Sequence, residues 1–260
     1  MKTVILAGGL GTRIGEETYI RPKPMIEIGG HPILWHIMKI YSTYGFHDFL
    51  ICLGYKGYMI KEYFADYYLH TSDVRFDFTD NNRMEVLNNV SEPWQVTLVN
   101  TGLETQTGAR IKRIQKYLGD EPFFLTYGDG VSNVNIPELL AFHQKNPNAI
   151  VTLTAIQLKG RFGMLDMEHD SNVVRQFVEK GEGDGGWING GFMVVNPQVF
   201  DYIDDDDQRR FEVEPLSNIA KAGRLQAYRH TGFWHCMDTP RDKGSLEMLW
   251  NTPNPPWKVW

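Results

Sequence analysis

Within its first thirteen residues the chain runs TVILA straight into GGLGTR. A short run of apolar and β-branched residues predicts a buried strand. Leaving it through Gly8, Gly9 and Gly11 requires a sharp turn at the strand's carboxyl end. The alternation then continues. In HPILWHIMKIYSTYG the residues Ile33, Leu34, Ile37, Met38 and Tyr41 recur at helical spacing, with Pro32 suited to the first turn and Gly45 to the stop. DFLICLG predicts a second buried strand, KGYMIKEYFADYYL a helix, ARIKRIQKYLG another helix through Ile111, Ile114 and Leu118, and PFFLTYGDG a strand. Strand and helix in alternation predict an α/β, Rossmann-like fold: a mostly parallel mixed sheet with helices on both faces.

Between about 70 and 100, DVRFDFTDNNRMEV and QVTLVNTG predict short strands in a small β-rich insertion beside that sheet. From 151 to 195 strands dominate (VTLTAI, FGMLDM, VVRQFVE, GGFMVV), and EVEPLSNIAKAG predicts a late helix. The ending NTPNPPWKVW cannot be helical. It is expected to be a tail whose two tryptophans pack on something, a neighbouring subunit being one candidate.

A chain of 260 residues with 42% hydrophobic and 22% charged residues suits one soluble domain with a sizeable core. The expected layout is a single domain over 1–260, with a nucleotide-binding half to about 130, a sugar-binding half over 131–250 and a tail over 251–260. The net charge of -6 argues against nucleic acid as a partner, so any cationic site must be local. Cys52 and Cys236 are too few for a disulfide scaffold or a cysteine zinc site, which fits a reduced compartment. No signal-peptide pattern opens the chain, and VILA is far too short to span a bilayer. The expectation is a cytoplasmic protein with no membrane attachment. Asp204–Asp207 reads as a solvated turn, with metal binding the weaker reading.

Open α/β sheets bind ligands at the carboxyl ends of their strands, where LAGGLGTR stands. Three residues without Cβ let their amides converge on an anion, and nucleotide phosphates are the obvious candidate. Glycines alone fit a plain strand-to-loop turn equally well. A dinucleotide fingerprint would need glycine where Ile14 stands, and a P-loop would need Gly-Lys-Ser/Thr, which occurs nowhere. Arg13 and Lys23 tip the balance. Arg21 and Lys23 each precede proline, which predicts an extended RPKPM that presents Lys23 with little freedom left to lose.

LAGGLGTR followed by PKPM resembles the signature of the sugar-phosphate nucleotidylyltransferases, the nucleotide-sugar pyrophosphorylases. The likeness continues through HPILWHIMKIYSTYG, GYKGYMIKEYF, MEVLNNVSEPWQVTLVNTG, YGDG, INGGF and DTPRD, covers nearly the whole chain and is strongest with the cytidylyl-transferring members. The resemblance implies that Leu6, Ala7, Gly8, Gly9, Leu10, Gly11, Thr12 and Arg13 wrap a nucleoside triphosphate. Arg13 would face the departing pyrophosphate and Lys23 the α-phosphate. It implies that Asp129 and Asp238 share one Mg²⁺, although Asp-Gly alone is common turn chemistry. His235, close to Asp238, is expected to pack or to support the ligands from behind rather than to ligate, since imidazole suits zinc or copper better. Arg13, Lys23 and Asp129 would carry the chemistry.

The same resemblance makes FVEKGEGDGGWINGGF the sugar site. Glu179 would accept from hydroxyls, Lys180 would meet the sugar's phosphate, Asn189 would donate and accept, and Gly190 and Gly191 would let a ring lie against backbone. A glycine-containing hairpin is the structural alternative. Many relatives have proline after the Glu-Lys pair, whereas this chain has Gly181. Thr105 and Arg110 match base-contacting positions, and Gly128 belongs to the implied nucleotide-binding set, although Arg110 by itself reads as a surface helix residue. An arginine can donate to both acceptors of cytosine, while uracil has N–H at N3. The implied reaction joins CTP and glucose 1-phosphate to give CDP-glucose and pyrophosphate, for deoxysugar assembly in surface polysaccharide, in a homo-oligomer. Thymidylyl or uridylyl transfer, a catalytically silent nucleotide sensor and an NAD-binding dehydrogenase are the competing readings. Ile14 disfavours the last.

Overall fold

The computed structural model describes residues 1–157, 164–167, 174–178 and 186–260. Its centre is an eight-stranded sheet of β1 (Thr3–Ala7), β2 (Asp48–Leu53), β3 (Gln95–Asn100), β4 (Phe123–Tyr127), β5 (Val151–Gln157), β6 (Trp187–Asn189), β7 (Met193–Val195) and β8 (Leu225–Arg229). β4, β1, β2 and β3 lie side by side and parallel. β7 runs antiparallel between β4 and β5, and β8 is parallel on the far side of β5. The expected mixed, mostly parallel sheet is therefore the one that forms.

Helices α1 (Ile33–Thr43), α2 (Gly57–Ala65), α3 (Thr107–Arg113), α4 (Ile136–Gln144), α5 (Glu214–Lys221) and α6 (Pro240–Trp250) flank it. Along β1, Ile5 and Ala7 join one core layer with Ile33, Leu34, Ile37 and Met38 of α1, Leu139 of α4 and Leu246 of α6. Val4 and Leu6 join the opposite layer with Ile111 of α3 and Leu216 and Ile219 of α5. A sheet covered on both faces needs apolar side chains in both directions, which is why its strands read as unbroken apolar runs.

The structure corrects several expectations. QVTLVNTG is no insertion: Gln95–Asn100 pairs with Asp48–Leu53 in parallel and forms the edge of the main sheet. Only Asp73–Asp77 and Arg83–Asn88 form a separate hairpin. The helix expected through KGYMIKEYFADYYL breaks at Asp66, and a second short helix begins at Tyr67. There Tyr67 stacks on Trp94 and its hydroxyl accepts from Trp35 Nε1 at 3.2 Å, so tertiary contacts redirect the chain. ARIKRIQKYLG likewise ends its α-helix at Arg113 and continues as a 3₁₀ turn. RPKPM is extended only to Pro22; Lys23–Met25 closes a 3₁₀ turn through Met25 N to Pro22 O at 2.8 Å. The tail packs on its own chain. Trp257 is fully buried against His36, Trp250 and Phe233, leaving nothing of its ring for a neighbour. Among the described residues no helix is long and apolar enough to cross a membrane.

Candidate active site

The parallel strands β1, β2, β3 and β4 all end at one edge, which brings their following loops together. The segments after β1, β3 and β4, with Lys23 and Pro24, line a cleft of about 390 Å³. Every residue expected to hold the nucleotide, Leu6 to Arg13, Lys23, Thr105, Arg110 and Gly128, lines it, and so does Asp129.

The glycine loop is shaped from below by Arg110. This side chain is 4% exposed, so the surface reading of Arg110 is overturned. Its Nη1 donates to Leu53 O (3.1 Å), Thr101 Oγ1 (2.7 Å) and Gly102 O (2.7 Å), and its Nη2 to Gly8 O (3.0 Å) and Leu103 O (3.2 Å). One guanidinium thus gathers the ends of β1, β2 and β3. Thr105, also buried, accepts from Arg113 at 2.8 Å. Gly11 adopts φ +64, where a Cβ would also strike Thr18, so this position requires glycine.

Lys23 is the electrostatic centre. It is 8% exposed, and its Nζ lies 2.7 Å from Asp129 Oδ2 and 2.6 Å from Asp238 Oδ1. Burial works against its charge, but the two carboxylates outweigh burial and hold its pKa above the ordinary lysine value. Burial would likewise raise Asp238, yet the hydrogen bond and charge of Lys23 and the charge of Arg13 keep it below the usual carboxylate value. Arg13 Nη1 reaches Asp238 Oδ2 at 2.9 Å from an exposed position at the mouth.

Local structure explains how acids so far apart in sequence meet. Trp234–Cys236 pairs antiparallel with Gly130–Ser132, and Met237 N donates to Asp129 O at 2.8 Å. Asp238 then precedes a capping box on α6, where Asp242 Oδ2 accepts from Thr239 N (2.8 Å) and Asp238 N (3.1 Å). The strand ladder and the helix cap hold the two carboxylates facing one position.

That position fits a hard divalent ion. Two carboxylate oxygens converge on one positive charge, supplied here by an ammonium, and carboxylate donors suit ions that complete their shell with water and phosphate. Cys236 adds no thiolate: burial, then the negative charges of Asp238 and Asp129, push its pKa up to about 12. His235 turns its Nδ1 to Cys236 O at 2.8 Å and stacks on Phe233, as expected of a packing residue. Among the described residues no cluster of three or more metal-ligating side chains forms, at Asp204–Asp207 or elsewhere; Asp204 and Asp207 bond Arg209 and Arg113 instead.

The sugar-side expectations divide. Glu179 and Lys180 lie outside the described residues. Asn189 donates to Tyr127 Oη at 3.3 Å and accepts from Gly191 N at 3.0 Å, so its amide is oriented. Gly190 and Gly191 sit in a kink between β6 and β7 rather than a hairpin; both strands pair with β5, and Gly191 has φ +76. Sequence reasoning missed Gly54, whose absent Cβ leaves room for Gly8 O and Arg110. It also missed Thr107, which stands just ahead of the predicted ARIKRIQKYLG helix, and Tyr127, which stands inside PFFLTYGDG; both line the cleft. Nothing in the sequence pointed to Glu212.

Residues 2–252 match the family model described as Nucleotidyl transferase. The chain is 56% identical to the glucose-1-phosphate cytidylyltransferase of Salmonella typhi over 261 aligned positions, covering 100% of both chains. It is likewise 56% identical to that of Salmonella typhimurium, again over 100% of both. Among solved structures it resembles HddC from Yersinia pseudotuberculosis, with TM-score 0.67, 25% identity and 96% and 99% of the two chains covered.

Proposed function

The chain belongs to the nucleotidyl transferase family, and we propose that it transfers the cytidylyl group of CTP to glucose 1-phosphate. CDP-glucose and pyrophosphate are the products. The observation that carries this reading is the full-length identity of 56% to glucose-1-phosphate cytidylyltransferase, over a cleft in which Lys23, Asp129 and Asp238 meet beside the glycine loop.

A phosphate oxygen of glucose 1-phosphate forms the new bond to the α-phosphorus of CTP. The bond from that phosphorus to the bridging oxygen breaks, and pyrophosphate leaves in line with the electron pair. The nucleophile is already an anion, so no general base is needed, and the work is positioning and charge neutralisation. The glycine loop offers its amides to the phosphates. Lys23 is the buried cation available to the α-phosphate, and Arg13 at the mouth would exchange Asp238 for the departing pyrophosphate. The family works with a divalent metal ion; in our reading this is Mg²⁺, held by Asp129 and Asp238, which would neutralise charge on the phosphates. Asn189, with Glu179 and Lys180, serves the sugar phosphate. Cytosine selection at Arg110 requires its guanidinium to exchange one of its carbonyl partners for the base, with Thr105 beside it.

A homo-oligomer belongs to the same reading. The hairpin over 73–88 leaves Phe76, Phe78 and Leu87 54%, 78% and 60% exposed, an apolar surface suited to a second copy. The deciding experiment offers each of four nucleoside triphosphates with glucose 1-phosphate and divalent ion, and identifies the product by mass. CDP-glucose from CTP is expected. Preferred turnover of UTP or dTTP would overturn the base assignment.

A further inference from the structure

Glu212 stands outside the nucleotide loop, the acid pair and the sugar motif, yet its carboxylate joins two walls of the cleft. Thr107 Oγ1 donates to its Oε2 at 2.6 Å, and Tyr127 Oη donates to its Oε1 at 2.8 Å. Thr107 opens α3 on the base side, and Tyr127 ends β4 immediately before Gly128 and Asp129. The connection continues. With its proton committed to Glu212, Tyr127 Oη presents lone pairs and accepts from Asn189 Nδ2 at 3.3 Å. Asn189 Oδ1 is occupied by Gly191 N, so the second amide N–H of Asn189 is the one left for a substrate.

The segment bearing Glu212 is seated firmly on α3. Gln106 N donates to Asp207 O at 2.9 Å, Ala109 N to Arg209 O at 3.2 Å, and Phe211 N to Thr107 Oγ1 at 2.9 Å. A Cβ on Gly108 would lie 2.8 Å from Arg209 O, so helix and segment touch backbone to backbone. Phe211 is fully buried and anchors the segment in the core. Both hydroxyls therefore meet an acceptor whose own position is fixed.

We propose that Glu212 is a positioning residue that sets the base-side wall and the sugar-side amide at once, coupling the two substrate sites through the Thr107–Glu212–Tyr127–Asn189 connection. A carboxylate suits the task because it accepts from both hydroxyls together. An amide at the same place has one acceptor oxygen and must turn donors toward one of them. The inference rests on the proposed reaction for the identity of the two substrates.

The test is a KM split. Glu212→Ala should raise the KM for CTP and for glucose 1-phosphate each by roughly tenfold, the scale of a lost charge-assisted hydrogen bond. Thr107→Val should raise the CTP value alone, and Tyr127→Phe the sugar-phosphate value alone. Because the arms meet at one carboxylate, Tyr127→Phe added to Glu212→Ala should cost less than the two changes cost separately, the remainder being the contact of Tyr127 Oη with Asn189. Should Glu212→Ala fold poorly, Glu212→Gln retains the volume, keeps its oxygen for one hydroxyl only and should raise the KM that belongs to the other. Both KM values within twofold of wild type, or strictly multiplicative effects in the double variant, would overturn the coupling. A wild type that ignores CTP and glucose 1-phosphate would instead overturn the proposed reaction, and the split would then be read on the pair that it does use.

Discussion

The guanidinium of Arg110 fills the space that a β-carbon on Gly8 would need, overlapping its Nη1, Cζ and Nε positions. The bare backbone at Gly8 is thus a matter of what lies beneath the loop as well as of the ligand above it. Gly8→Ala is expected to displace Arg110 and strip donors from buried carbonyls, lowering stability by about 1–3 kcal/mol and raising the KM for CTP. Gly9 supplies the contrast, since a Cβ there would meet nothing within 4 Å: Gly9→Ala should unfold in urea as the wild type does. Equal stability of the two variants would show that the Arg110 brace does not constrain the loop.

Lys23→Met leaves Asp129 and Asp238 facing one another without the buried cation between them. Turnover should fall by at least roughly a hundredfold, since an electrostatic group acting on the reacting phosphate is worth that much. Without divalent ion the melting temperature should also drop, and adding the ion should restore more of it than in the wild type, where ammonium and metal compete for the same oxygens. Unchanged turnover would remove Lys23 from the chemistry.

Asp129→Asn should retain the fold, because the backbone carbonyl of Asp129 still receives Met237 N. Pyrophosphate release should become insensitive to divalent ion and fall to background. Chelation of the wild type with EDTA should reproduce that loss, and addition of Mg²⁺ should reverse it. Full activity after exhaustive chelation would discard the acid pair as a metal site.

Acid should loosen the tail. His36 Nε2 lies 2.8 Å from Ile28 O and must carry the hydrogen, leaving Nδ1 to accept from Trp257 Nε1 at 3.4 Å. Burial first, with the nearby His31 in support, lowers its pKa to about 4. The folded ring therefore refuses a proton that the unfolded chain accepts. Stability is fully present above the unfolded value near 6.5 and is lost as pH falls toward 4, by about 3 kcal/mol at the acid end. Urea unfolding followed by tryptophan fluorescence at pH 7 and 5 should show the loss, and His36→Gln should flatten it. Equal slopes in both proteins would assign the acid sensitivity elsewhere.

Features that depend on neighbours along the chain were legible in the residues alone. TVILA and DFLICL are strands because unbroken apolar runs suit a sheet buried on both faces. Ile33–Thr43 is a helix because its apolar residues return at helical spacing, and GGLGTR must turn because its backbone lacks side chains. LAGGLGTR with PKPM made the family legible by resemblance. Partners across the fold were settled by its three-dimensional packing. Lys23 meets acids 106 and 215 positions away, and no local propensity encodes that distance. Arg110 moved from an expected surface to the interior because five oxygens compensate the loss of water around its charge. QVTLVN became an edge strand because the Asp48–Leu53 edge offered it a ladder, and Trp257 found its own core instead of a neighbour. Periodicity and glycine spacing describe short stretches of chain, whereas the pairing of a charge or a strand edge is settled only where distant stretches meet.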